Sequence, residues 1–104
     1  MFIARWSIEA RFGHKAEVLA QMQRWTREIG AQVGWTEQRM RLLTGSIGAK
    51  ESTIQSEIAV ESLAELEAAW AKLATLDGHA AWSKQLEPHV VSGTQKWEIF
   101  RLLS

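Results

Sequence analysis

The chain has 104 residues, which is the size of one domain with one hydrophobic core. Hydrophobic residues make up 46% of it and charged residues 23%, a composition that excludes a disordered chain or a fibre. Twelve basic residues balance twelve acidic ones, so we expect no binding to nucleic acid or to an anionic membrane surface. The absence of cysteine excludes disulfides, thiolate nucleophiles and iron–sulfur clusters.

The amino terminus, MFIARWSIEARF, carries Arg5, Glu9 and Arg11 among its apolar residues, which is not the pattern of a signal peptide. No segment approaches the roughly 20 consecutive apolar residues of a membrane-spanning helix. We therefore expect a cytoplasmic protein, with residues 1–104 forming a single domain.

The first half of the chain predicts a strand, a helix and a second strand. Strict alternation of apolar and polar residues over Phe2–Phe12 predicts a strand with one buried face. Apolar residues then recur every three or four positions over Lys15–Ile29, which predicts an amphipathic helix closed by Gly30. The alternation before the glycine-containing turn predicts a strand over about Val33–Thr44.

The second half begins with a strand over Thr53–Glu61, which is expected to form a hairpin with the strand before it. Ser62 and Glu65 form a capping box that opens the second helix, and its apolar stripe places Trp70 in the core. We expect that helix to end at Asp77 and Gly78.

A shorter helix over His79–Glu87 is expected to stop before Pro88, and Thr94–Leu103 predicts a closing strand. The apolar residues Phe100 and Leu102 fall on the sheet face opposite to that of Trp97 and Ile99. Either both faces of the strand are buried there or a bulge intervenes. The element order predicts an α+β, ferredoxin-like fold, in which two main helices and one short helix cover one face of a four-stranded antiparallel sheet.

Charged side chains of both signs share the sheet face that the helices leave uncovered. That face is either a solvated surface or the contact with a second subunit, and the sequence alone favours neither interpretation. Seven residues are the candidate dimer interface: Arg5, Glu9, Arg11, Arg39, Arg41, Glu57 and Glu98.

The segments ESLAELEAAWAKL, DGHAAWSKQLEPHVVSG and KWEIFRLL resemble the C-terminal half of small dimeric α+β barrel proteins. Within that superfamily the chain resembles NIPSNAP-like proteins and, more distantly, antibiotic biosynthesis monooxygenases. The resemblance favours the interface interpretation: it implies a homodimer in which two sheets face each other as a barrel, with a ligand cleft between the sheet and helices of each subunit.

The resemblance also draws attention to His79, because related monooxygenases and haem-degrading members often have a histidine at this position. His79 shares one helix face with Trp82 and Leu86, which makes it the candidate catalytic residue. The simpler interpretation is a histidine that hydrogen bonds to solvent. The enzymatic relatives pair a tryptophan with an asparagine or tyrosine, and this chain contains neither residue type.

Tryptophans are the other candidate functional residues, although core packing is the simpler interpretation for Trp6, Trp25, Trp70 and Trp97. Trp35 follows Gly34 and is assigned to no element, so a loop or the dimer contact is expected for it. The predicted walls of a ligand cleft are Trp6, Ile8, Trp25, Trp82 and Trp97, with His79 beside them.

The sequence leaves three functions open. The first is a homodimeric domain that binds a hydrophobic or aromatic small molecule, and the second is a cofactor-independent oxygenase or isomerase acting on an aromatic substrate. The third is an interaction protein with no cleft. The three histidines lack metal-binding spacing and no glycine-rich phosphate loop occurs, so we expect no metal and no cofactor.

Overall fold

The computed structural model describes residues 1–104. Four strands and three α-helices follow one another, with two short 3-10 helices at Gly30–Val33 and Glu87–His89. The elements in chain order are β1 (Phe2–Glu9), α1 (Lys15–Glu28), β2 (Met40–Thr44), β3 (Thr53–Val60), α2 (Leu63–Leu73), α3 (Asp77–Leu86) and β4 (Lys96–Arg101).

The strands form one antiparallel sheet in the order β2-β3-β1-β4, which confirms the predicted ferredoxin-like fold. Arg5 lies opposite Glu57 on β3 and opposite Glu98 on β4, and Arg41 also lies opposite Glu57. Residues that are opposite one another share a sheet face. The alternation in the sequence therefore assigned the two faces correctly.

The core lies between the sheet and the helices, where 16 buried hydrophobic residues form one cluster. Ile54 and Ile58 of β3 are almost completely buried there, together with Val18 of α1 and Leu66 of α2. None of the helices is long and apolar enough to cross a lipid bilayer.

The second strand is much shorter than predicted, because the chain between α1 and β2 folds as a 3-10 helix and a turn. Trp35 in this connection is only 1% exposed, and its backbone N–H donates to the carbonyl of Gly30. Gly30 is not the helix cap, which is Ile29. A Cβ at Gly30 would lie 2.7 Å from the Trp35 carbonyl oxygen and 2.9 Å from the Trp25 ring, so this glycine permits a close approach.

Half of the predicted capping box of α2 is present: the N–H of Glu65 donates to Ser62 Oγ, but the reciprocal bond to the Glu65 carboxylate comes from the N–H of Glu61, one residue before the cap. The Glu65 carboxylate accepts from the N–H of Glu61 and from Arg39, and both bonds hold its pKa below the ordinary value. The predicted end of α2 is wrong: the helix ends at Leu73, and Asp77 begins α3, where an acidic residue is favourable at a helix N-terminus.

The first and last strands of the chain are also shorter than predicted. β1 ends at Glu9, after which Ala10 makes one isolated bridge to Val90 and Phe12 is fully exposed. β4 spans Lys96–Arg101 without a bulge, and neither of its faces is fully covered in a single chain. An edge strand has only one neighbour, so the apolar residues of β4 remain partly exposed.

Candidate functional site

All six tryptophans line one cavity of about 870 Å³ between the sheet and the helices, which we call the tryptophan cavity. Apolar residues such as Ile8, Met22 and Leu86 complete its walls. Exposed residues Lys84, Ser92 and Gln95 also line it, so the cavity opens to solvent beside the end of α3. A volume of this size is typical of a small-molecule site.

The aromatic rings of the cavity form a continuous series of contacts. Trp97 of β4 lies between Trp70 and Trp35, with ring centroids 5.3 Å and 6.2 Å away. Trp25 then lies 6.3 Å from Trp35 and 6.1 Å from Trp82. Tilted and edge-to-face pairs at these distances are favourable, and they hold the ring faces in fixed orientations around the cavity.

The structure brings together every residue predicted to wall a cleft. Trp6, Ile8, Trp25, Trp82, Trp97 and His79 all line the tryptophan cavity. Trp82 also belongs to the buried core, because its side chain is 7% exposed and its Nε1 donates to the Gln21 carbonyl at 2.8 Å.

Sequence analysis missed several lining residues. Trp70 lies half-buried in the cavity wall instead of the core, and its buried Nε1 has no hydrogen-bond partner. Trp35 belongs to no periodic pattern, so its position depends on the tertiary fold. The polar residues Arg11, Ser56 and Lys84 also line the cavity, and no sequence pattern indicated that they would.

His79 is held by a hydrogen bond in which Trp25 Nε1 donates to its Nδ1 at 3.0 Å. Its ring also stacks on Trp82, with an angle of 15° between the ring planes. Because an indole N–H only donates, Nδ1 of His79 must be the acceptor and the proton of the neutral ring lies on Nε2. His79 therefore offers a ligand a hydrogen-bond donor, and general-base chemistry at Nε2 would require it to lose the bond to Trp25.

Burial lowers the pKa of His79 below its ordinary value of 6.5. The unfolded chain then binds a proton at this position more readily than the folded protein does. The neutral form of His79 therefore contributes to the free energy of unfolding. This contribution is fully present above pH 6.5 and is lost as the pH falls through the lower pKa of the folded state. We expect the free energy of unfolding to fall more steeply between pH 7 and pH 5 in the wild type than in His79→Gln.

Urea denaturation at a series of pH values measures this difference. The glutamine variant is a suitable comparison, because its amide oxygen can still accept the hydrogen bond from Trp25. His14→Gln, altered at a histidine outside the cavity lining, serves as the control and should keep the His79 contribution. Parallel pH profiles for the wild type and His79→Gln would contradict the expectation.

The sheet face opposite the helices, which we call the open sheet face, carries a buried carboxylate between two guanidinium groups. The side chain of Glu57 is only 3% exposed. Arg5 Nε donates to Glu57 Oε2 at 3.0 Å, and Arg41 donates to Glu57 Oε1. The register places both arginines directly opposite Glu57, so the alternating sequence pattern accounts for this ion-pair network.

The other predicted interface residues divide into two groups. Glu98 lies on the open sheet face, and Glu9 lies at its end and pairs with Lys50 at 3.1 Å. Arg11 and Arg39 lie outside the regular strands. Arg11 Nε donates to the carbonyl of Val90, and Arg39 bonds to the carboxylate of Glu65. Their expected place on this face rested on strands longer than those in the structure.

Two of the three histidines meet, although the sequence indicated no contact between them. His14 Nδ1 lies 2.9 Å from His89 Nδ1, so one ring donates and the other accepts. This bond ties the start of α1 to the segment after α3. No group of three His, Asp or Glu side chains lies together as a metal site would require.

The fold defines a ferredoxin-like α+β domain, and the site is an aromatic cavity between its sheet and helices. The chain is similar to the crystal structure of a NIPSNAP family protein from Agrobacterium tumefaciens. The TM-score is 0.80, with 16% identity over 99% of this chain and 93% of that chain.

Two further solved structures are similar. One is a candidate antibiotic biosynthesis monooxygenase from Nitrosomonas europaea, with a TM-score of 0.67 and 10% identity over 100% of both chains. The other is described as a dimeric protein of unknown function with a ferredoxin-like fold from Bacteroides fragilis. Its TM-score is 0.59, with 13% identity over 97% of this chain and 96% of that chain.

No family model matches the sequence, and no curated protein matches it. At identities of 10% to 16% the structural similarities establish the fold alone. They confirm the predicted resemblance to NIPSNAP-like proteins and, more distantly, to the monooxygenases. The activity has to be argued from the site itself.

Proposed function

We propose that this protein binds a flat, hydrophobic aromatic molecule in the tryptophan cavity. The observation that carries the proposal is that all six tryptophans of the chain line one cavity of about 870 Å³. A core needs to bury its tryptophans but does not need to arrange them around open space. Rigid aromatic walls lose little conformational entropy when they pack against a planar ligand.

A hydrogen-bond donor in the cavity wall supports the same proposal. Nδ1 of His79 accepts from Trp25, so Nε2 carries the ring proton and can donate to a ligand. A ligand with an acceptor atom within reach of Nε2 would gain a hydrogen bond as well as the contacts with the aromatic rings.

The neutral three-ring probe 1-aminoanthracene tests the proposal, because it accepts excitation energy from tryptophan. We expect it to quench the intrinsic fluorescence saturably, with one probe per chain and most of the emission affected, since every tryptophan lines the cavity. His79→Ala should weaken the binding by about threefold through the lost ring contact.

His14→Ala is the matched control, since it removes a histidine that does not line the cavity, and it should leave the affinity unchanged. Quenching that rises linearly without saturation would show that the cavity does not bind the probe. An equal loss of affinity in His79→Ala and His14→Ala would indicate a site elsewhere.

We also propose that the protein is a homodimer in which the open sheet faces of two subunits pack against each other. Supporting this, the face carries interleaved charges of both signs together with the exposed ring of Phe100, beside which the Arg5 guanidinium lies. The similar Bacteroides fragilis protein is described as dimeric. Light scattering at micromolar concentration tests the proposal, and a monomeric mass would contradict it.

A cofactor-independent oxygenase or isomerase is the second candidate function, and the bond between His79 and Trp25 is the observation that favours it. In this case His79 would donate from Nε2 to a substrate carbonyl and stabilise negative charge there, instead of acting as a base. Turnover of a bound aromatic ketone or phenol that disappears in His79→Gln would support it. Binding without turnover would leave the ligand-binding function alone.

A further inference from the structure

The charged residues that line the tryptophan cavity carry an excess of one positive charge. Arg11 and Lys84 are cationic, Glu87 is anionic, and none of the three takes part in an ion pair within the fold. The chain as a whole has no net charge, so this excess belongs to the cavity. Arg11 uses Nε to bond to the Val90 carbonyl, which leaves its terminal amino groups available.

The distribution of these groups divides the cavity into two parts. Tryptophan rings form the inner walls, and the partial negative charge on their faces disfavours an anion that lies against them. Lys84 lies on the exposed face of α3, at the solvent opening, and Arg11 and Glu87 are also exposed. An anionic group is therefore favoured on the exposed side of the cavity, where the two cations outnumber Glu87, and an uncharged ring system is favoured inside.

We propose that the ligand is an aromatic anion whose rings occupy the tryptophan cavity and whose carboxylate, or a group of the same charge, is bound by Lys84 and Arg11. This inference rests on the proposed aromatic-binding function and adds the charge of the ligand to it. The attraction persists at this opening because the neighbouring apolar walls reduce screening by water.

Calorimetric titration of the full-length protein with 2-naphthoate and with its neutral analogue 2-naphthamide tests the inference. The two compounds have the same ring system and nearly the same shape. We expect 2-naphthoate to bind about tenfold more tightly at low salt, and we expect this preference to shrink as sodium chloride screens the charges.

Lys84→Gln should reduce the preference by about threefold, and Arg11→Gln should reduce it by a similar factor. Lys72→Gln and Arg27→Gln are the matched controls, because they remove the same charges at residues outside the cavity lining, and they should retain the preference. Circular dichroism spectra establish that each variant is folded.

The outcomes separate this inference from the proposed function. Equal affinity for 2-naphthoate and 2-naphthamide, or a preference that stays at about tenfold in both Lys84→Gln and Arg11→Gln, overturns the inference, while saturable binding of 1-aminoanthracene still upholds the aromatic site. Failure of all three compounds to bind overturns both.

Discussion

Replacing Trp82 by alanine should lower the free energy of unfolding by about 3 to 5 kcal/mol. Its side chain belongs to the buried core, and its Nε1 donates to the Gln21 carbonyl, which ties α3 to α1. The substitution removes both the packing and the bond, and it enlarges the adjoining cavity. Urea denaturation followed by circular dichroism measures the loss without relying on the altered fluorescence.

Trp97→Ala provides the matched comparison, because Trp97 lines the same cavity but remains 40% exposed on the edge strand β4. Trp97 buries less apolar surface than Trp82, so this substitution should cost at most about two-thirds as much as Trp82→Ala. Equal costs for the two variants, or a cost below about 1 kcal/mol for Trp82→Ala, would contradict the structural role assigned to Trp82.

Glu57→Gln should destabilise the protein by about 2 to 3 kcal/mol, because it removes the only carboxylate between Arg5 and Arg41. The two guanidinium groups would then lie on β1 and β2, on either side of β3, with no anion between them. Both arginines are partly exposed and recover some hydration, which limits the cost. Chemical denaturation at moderate ionic strength measures the change.

Glu98→Gln is the control on the same face of the sheet. Its carboxylate is far more exposed and pairs only with Lys96 at 3.5 Å, so the expected cost is below about 1 kcal/mol. If the open sheet face forms the dimer interface, Glu57→Gln should also raise the dimer dissociation constant more than Glu98→Gln does. Equal stability losses for the two variants would show that the burial of Glu57 has no energetic consequence.

The candidate site was only partly predictable. The positions of Trp6 and Trp97 follow from strand parity, and those of Trp25 and Trp82 follow from helical spacing. Trp35 was not assignable, because it lies in a connection whose path is set by the close approach of Gly30 to the Trp35 backbone and the Trp25 ring. The pairing of His14 with His89 was equally hidden, since 75 residues separate them and no local pattern connects them.

By itself, the sequence determined the element types and order, the two sheet faces and the capped start of α2. These features depend on local periodicity or on contacts between residues close in the chain, such as Ser62 and Glu65. Only the tertiary structure decided where β2 begins, how deeply Trp82 is buried and which nitrogen of His79 is free. Those properties depend on side chains from distant segments, which the folded chain places within a few ångströms of one another.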